Sequence, residues 1–171
     1  MSEINETVLF DFLKAHHIDY QLYKHQPVFT TQDQPIGPTG EKITMPGIHS
    51  KNLFLVDKKN NTFFLVSVTQ DKRVDLKALS AILGCSRFSF GKPEELLALL
   101  KIQPGSVTPF GLMFDQPPKV TFVLDEDFLS GEPINFHPLR NDMNIGMMPQ
   151  DFLTCMEKMG HQPRIIKIPM Q

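Results

Sequence analysis

Three short stretches of this 171-residue chain carry side chains or backbone suited to chemistry. Lys51 follows Gly47-Ile48-His49-Ser50 and directly precedes the apolar run Asn-Leu-Phe-Leu-Val. A lysine there offers a compact, strongly hydrated positive charge of the kind that holds a phosphate. Gly105-Ser106-Val107-Thr108-Pro109 is a turn whose backbone N–H groups could face a developing oxyanion. His137, followed by Pro138, is the third. Each has a plainer reading when taken alone. A lysine at the head of a strand is ordinarily solvated. Glycine and proline four residues apart make a turn by backbone freedom and a fixed φ. A single His-Pro pair is as readily structural as functional.

Several chemistries leave no signature. The chain has no GxGxxG or Walker A loop for nucleotide phosphates and no GxSxG nucleophile elbow. The six histidines, His16, His17, His25, His49, His137 and His161, show no HExxH or other close metal spacing. His16 and His17 close a helical pattern, where polar residues complement the helix C-terminus. Cys85 and Cys155 stand far apart among apolar neighbours and read as buried thiols.

The elements that must position these residues follow from periodicity. Residues 5–17 place Val8, Leu9, Phe12 and Leu13 on one helical face, with Asn5 as cap. Asp19–Lys24 alternates as a short strand. Residues 25–50 contain four prolines and three glycines and read as an extended loop able to line a site. Asn52–Val56 and Thr62–Val68 flank Asp57-Lys58-Lys59-Asn60-Asn61 as a β-hairpin. Helices are predicted over Val74–Leu83, ending at Gly84, over Pro93–Lys101 and over Pro149–Met159. Strands are predicted over Arg87–Phe90, Lys119–Leu124, Ile134–Phe136 and Arg164–Ile168. The pattern is α+β, a mixed sheet with helices packed around it and no repeat or linker.

Composition places the chain among ordinary globular domains, with 41% hydrophobic and 21% charged residues. No 18-residue apolar run suggests a membrane span, and no basic, apolar leader opens the chain. Two isolated cysteines fit a reducing, cytoplasmic setting. The net charge of −2 is unevenly spread: residues 1–50 carry −3, residues 51–101 carry +4 and residues 102–171 carry −3. The basic middle third is suited to meeting phosphates locally.

Read in order, the segments HQPVFT (His25–Thr30), GIHSKNLFLVDKKNNTFFLVSV (Gly47–Val68), DKRVDLKALSAILG (Asp71–Gly84), FGKPEELLALL (Phe90–Leu100), PGSVTPFGLMFD (Pro104–Asp115) and FHPLRND (Phe136–Asp142) resemble the YbaK/prolyl-tRNA-editing family over roughly residues 7–168. Within it, RVDLKAL followed by GSVTPFGL looks most like the stand-alone alanyl-tRNA(Pro) deacylases. The resemblance implies one editing domain over residues 1–171, with a central mixed, partly barrel-like sheet surrounded by helices. It implies hydrolysis of the ester joining an amino acid to the 3′ end of tRNA, alanine on tRNA(Pro) first, without metal or organic cofactor. Prolyl-tRNA synthetase is the implied protein partner, and 171 residues leave no room for synthetase domains, so the expected action is in trans.

The resemblance also implies roles. Lys51 holds the substrate's 3′ end, and Gly105, Ser106, Val107, Thr108 and Pro109 shape the aminoacyl pocket and orient carbonyl and water. His137 lies at the pocket, His25 and Phe29 border it, and Asn52 and Asn141 join the substrate-binding set. Because the ester is already activated by its ribose neighbour, positioning and oxyanion stabilisation suffice without a protein nucleophile. Family members often show Asn-Thr-x-Thr-Thr after the His-Pro pair, whereas this chain has Asn141-Asp142-Met143-Asn144-Ile145. The helix that usually follows the Phe-Thr pair is replaced by the Pro/Gly-rich run Gln34–Gly40. Cysteinyl-tRNA(Pro) deacylation and a non-catalytic aminoacyl-tRNA or synthetase binder are the alternatives.

Overall fold

The computed structural model describes residues 6–28 and 35–171. The expected cap Asn5 and the expected site residue Phe29 lie outside the described residues. In chain order the elements are α1 (Glu6–Ala15), β1 (Gln21–Lys24), β2 (Ile48–Asp57), β3 (Thr62–Thr69), α2 (Leu76–Ile82), β4 (Phe88–Phe90) and α3 (Pro93–Leu100). A 3-10 helix (Pro109–Phe114), β5 (Val120–Asp125) and a second 3-10 helix (Glu126–Leu129) follow. The chain ends through β6 (Ile134–Phe136), β7 (Met143–Met147), α4 (Pro149–Lys158) and β8 (Arg164–Ile166).

The eight strands form one mixed sheet in the order β1-β7-β6-β2-β3-β5-β8, with β4 also paired to β2. Strand β2 joins its two halves. One edge pairs antiparallel with β3 from Ser50 to Asp57. The opposite edge pairs in parallel with β6 at Ile48 and His49, and antiparallel with β4 from Leu55 to Asp57. The sides are fixed by two bonds: His49 C=O accepts from Gln70 N–H toward β3, while Ile48 N–H donates to Pro133 C=O toward β6. Between these two partners, no strand among the described residues pairs with residues 50–54 on that edge.

Both sheet faces are covered, which explains the near-continuous apolar runs of the central strands. On β3, Leu65 faces one cluster with Leu9, Leu13, Phe110, Phe136 and Phe152. Its neighbours Phe64, Val66 and Val68 face the other, with Leu79, Val123 and Ile168. Local chemistry sets the helix starts. Asp75 Oδ1 accepts from Ala78 N–H at 3.0 Å to cap α2, and Glu95 Oε1 accepts from Lys92 N–H at 2.8 Å beside Pro93 in α3.

The α+β reading of the sequence agrees with this architecture, with four differences in detail. The run after His137 is not all loop: Met143–Met147 is β7, paired antiparallel with both β1 and β6. Residues 48–50, read as loop, belong to β2. Val74, read as helix, instead bridges to Met170, and Cys85 is half-buried rather than enclosed.

Candidate functional site

A cavity of about 540 Å³ opens beside the unpaired edge of β2. Ser50, Lys51 and Asn52 all line it, although consecutive strand side chains point to opposite faces. The cavity therefore wraps around the strand edge that β6 and β4 leave free. The GSVTP turn closes one side, with Asn52 Nδ2 donating to Val107 C=O at 3.2 Å. Asn52 Oδ1 accepts from Ser67 Oγ, so the amide is held at both ends.

Two loops reach this cavity because an aromatic cluster anchors them. Phe110 follows the GSVTP turn and Phe136 precedes His137. Their rings meet edge to face at 6.0 Å, and Phe152 of α4 stacks on Phe136 at 4.7 Å. All three rings are buried. Such contacts lock the backbone of both loops through the core rather than through the loops themselves.

Lys51 is half-buried, and its ammonium donates to Lys72 C=O. Partial burial, and then the neighbouring Arg73, hold its pKa below the ordinary lysine value. His137 is half-buried. Its Nδ1 lies 2.8 Å from Met143 C=O, and since a carbonyl only accepts, Nδ1 carries the proton. In the neutral ring Nε2 is then the unprotonated nitrogen, and the Asn144 side chain also interacts with this ring. Burial lowers the His137 pKa, with His25 adding a smaller push in the same direction. The rings of His25 and His137 lie 6.2 Å apart. His25 Nδ1 meets Gln26 C=O at 2.7 Å, and its Nε2 meets the Asn144 side-chain amide at 3.0 Å.

Of the residues singled out in the sequence, His25, Lys51, Asn52, Gly105, Val107 and His137 line this cavity. The others do not. Ser106 is half-buried with its N–H on Gln103 C=O at 3.1 Å, and Thr108 and Pro109 are buried at the start of the 3-10 helix. Asn141 lies behind the wall, where its side chain donates to Val28 C=O at 2.8 Å and its own C=O accepts from Val28 N–H. It fixes a lining residue instead of lining the cavity.

Other lining residues were not singled out individually: His49 and Ser50, within the 25–50 stretch read as able to line a site, and Gln70, Asn135 and Asn144. Asn135 is 1% exposed and donates from Nδ2 to Pro46 C=O at 2.9 Å. With His49 Nε2 donating to Met45 C=O at 3.0 Å, it pins the 43–46 wall of the cavity. A polar residue inside the apolar run Ile-Asn-Phe was the available signal for Asn135. His49 carried one too, two residues before Lys51 at strand spacing. Among the described residues no three His, Cys, Asp or Glu side chains gather as a metal site, and no helix is long and apolar enough to cross a membrane.

A lysine, a Gly-Ser-Val-Thr-Pro turn and a His-Pro turn thus surround one cavity at the unpaired stretch of β2 in a mixed sheet flanked by helices. This chain belongs to the aminoacyl-tRNA editing domain family, which it matches over residues 41–155. It is 41% identical over 147 residues to the prolyl-tRNA synthetase associated domain-containing protein 1 of Xenopus laevis, covering 84% of each chain. It is 29% identical over 153 residues to the prolyl-tRNA editing protein ProX of Acetoanaerobium sticklandii, covering 88% of this chain and 90% of that one. In three dimensions it resembles a proposed trans-editing enzyme for prolyl tRNA synthetase, with a TM-score of 0.70 at 19% identity over 97% of both chains.

Proposed function

We propose that this chain hydrolyses the ester of mischarged tRNA in trans, with alanyl-tRNA(Pro) as its leading substrate and cysteinyl-tRNA(Pro) the nearest alternative. The observation that carries this reading is the convergence of Lys51, Asn52, His137, Gly105 and Val107 on one cavity at the break in the sheet. Lys51 supplies the positive charge for the phosphate next to the terminal adenosine. Ser106 N–H is committed to Gln103 C=O, so an oxyanion donor from this turn comes from Gly105 or Val107. His137 is held with Nε2 unprotonated, which suits it to accept a proton from an attacking water. The names of the relatives support a link to prolyl-tRNA synthetase, whose proline pocket cannot strongly exclude the smaller alanine.

Initial deacylation rates of the purified protein on alanyl-, cysteinyl-, seryl- and prolyl-tRNA test this. The expected order is alanyl fastest, other small aminoacyl esters measurable and prolyl scarcely cleaved. Prolyl-tRNA cleaved as fast as alanyl-tRNA would refute editing. Binding of charged tRNA without any cleavage would favour the non-catalytic binder.

A further inference from the structure

The Lys51 ammonium rests on the main-chain carbonyl of Lys72, in the turn that closes β3. That turn is held from beneath. The Lys72 side chain is 5% exposed and runs inward to Asp125, which is fully buried, with Nζ 2.6 Å from Asp125 Oδ2. Asp127 Oδ2 lies at 3.1 Å and Ile168 C=O at 3.4 Å from the same nitrogen. Asp125 is itself fixed at the end of β5, where its Oδ1 accepts from Asp127 N–H at 3.2 Å. Lys72 N–H closes the turn on Thr69 C=O at 3.0 Å. One residue thus faces two ways, its carbonyl toward the cavity lysine and its ammonium toward a buried carboxylate on another strand.

A lone surface turn of this kind would leave carbonyl 72 free to swing, since loops are the mobile parts of a fold. Burying a lysine and an aspartate is costly in itself, so net stability is a weak explanation for keeping such a pair. We infer that Lys72, through its ion pair with Asp125, is a positioning residue that fixes carbonyl 72 and thereby sets where the Lys51 ammonium stands in the substrate cavity. Burial alone would lower the Lys72 pKa, but the two carboxylates outweigh it and raise it, so the Lys72 ammonium keeps its charge at neutral pH. The inference rests on the proposed function for its kinetic consequence but not for its geometry.

The test removes the clamp without leaving a buried charge. The double variant Lys72→Met/Asp125→Leu keeps net charge constant and replaces the pair by apolar side chains, and its cooperative melting shows that it is folded. NMR titration of 15N-labelled lysine side chains then reads Lys51 directly. Its pKa is expected to rise toward the ordinary lysine value, because a loosened turn lets the ammonium reach water. On alanyl-tRNA(Pro), KM is expected to rise about fivefold or more with a smaller change in kcat, since a misplaced point charge weakens binding of the 3′ end throughout. Lys72→Arg, which keeps a cation opposite Asp125, is expected to retain most of the wild-type Lys51 titration and KM. An unchanged Lys51 titration and KM in the folded double variant would overturn the inference while leaving the hydrolase reading intact. A shifted titration combined with full activity in Lys51→Ala would uphold the clamp and remove Lys51 from catalysis.

Discussion

Gly47 is where the sheet is most exposed to a single methyl group. Its φ is +101°, a conformation that side chains rarely adopt, and a Cβ built on it would lie 2.1 Å from the carbonyl oxygen of Pro133. That oxygen accepts from Ile48 N–H at 2.8 Å, the bond that opens the parallel pairing of β2 with β6. Gly47→Ala therefore carries two terms. Holding a non-glycine residue in so sparsely populated a region costs about 1–3 kcal/mol. Relieving the overlap must move one backbone past the other and weaken the Ile48 bond, worth a further 0.5–1.5 kcal/mol or so. The sum, about 2–4 kcal/mol, corresponds to a melting temperature lower by roughly 5–15 °C for a chain of this size.

Gly105→Ala is the internal control for that estimate. Gly105 has a similar φ, +91°, but nothing stands within 4 Å of its missing Cβ. It should show the backbone term alone, and the difference between the two variants isolates the overlap at Pro133. Because β2 runs from Gly47 straight into Ser50-Lys51-Asn52, Gly47→Ala should also reduce deacylation by about 10–100-fold through small misplacement of these groups. Urea midpoints and initial rates on alanyl-tRNA(Pro) provide both numbers. A Gly47→Ala protein as stable as wild type, or no more destabilised than Gly105→Ala, would show that the approach of Pro133 does not constrain the strand.

Other outcomes follow from the site. In the proposed reaction His137 is the base in its neutral form, and burial lowers its pKa, so activity should hold on acidification until pH falls through a value below the ordinary 6.5 or so, and His137→Gln should abolish that acid limb. The sign for stability matches: below the unfolded value the unfolded chain takes up a proton that the folded ring resists, so His137 contributes a loss of stability as pH drops from there toward the folded pKa. Lys51→Ala should remove most deacylation while costing no more than about 1 kcal/mol, since its ammonium makes one hydrogen bond at a half-buried position. Thermal melts and single-turnover rates check both parts. Gly105→Val should lower activity more than Ser106→Ala, because the Ser106 side chain is not part of the cavity lining. Affinity for charged tRNA should fall with salt at a log–log slope of roughly −2 to −4, and a flat response would point away from a polyanionic substrate.

The parts of the fold that depend on neighbours along the chain were legible from residue order alone. The β2–β3 hairpin, α3 behind Pro93 and α4 behind Pro149 sit within a few residues of their predicted bounds, because apolar period, caps and turn residues act over one or two turns of chain. Strand β7 was not legible. Met-Asn-Ile-Gly-Met has neither a clean alternation nor β-branched bulk, and it is a strand because β1 and β6 flank it, Tyr23 facing Asn144 and Phe136 facing Ile145. That pairing is what carries Asn144 to His25 and turns Met143 C=O onto His137. The types of residue suited to the site, Lys51, the GSVTP turn and His137, could be picked out one by one. Their meeting could not, because it depends on a sheet that splits at β2 and on three phenylalanines from separate elements that seat the two loops beside the gap. Local propensity acts within a segment, whereas the cavity is made by backbone edges and ring contacts between segments tens of residues apart, and only the folded chain brings those together.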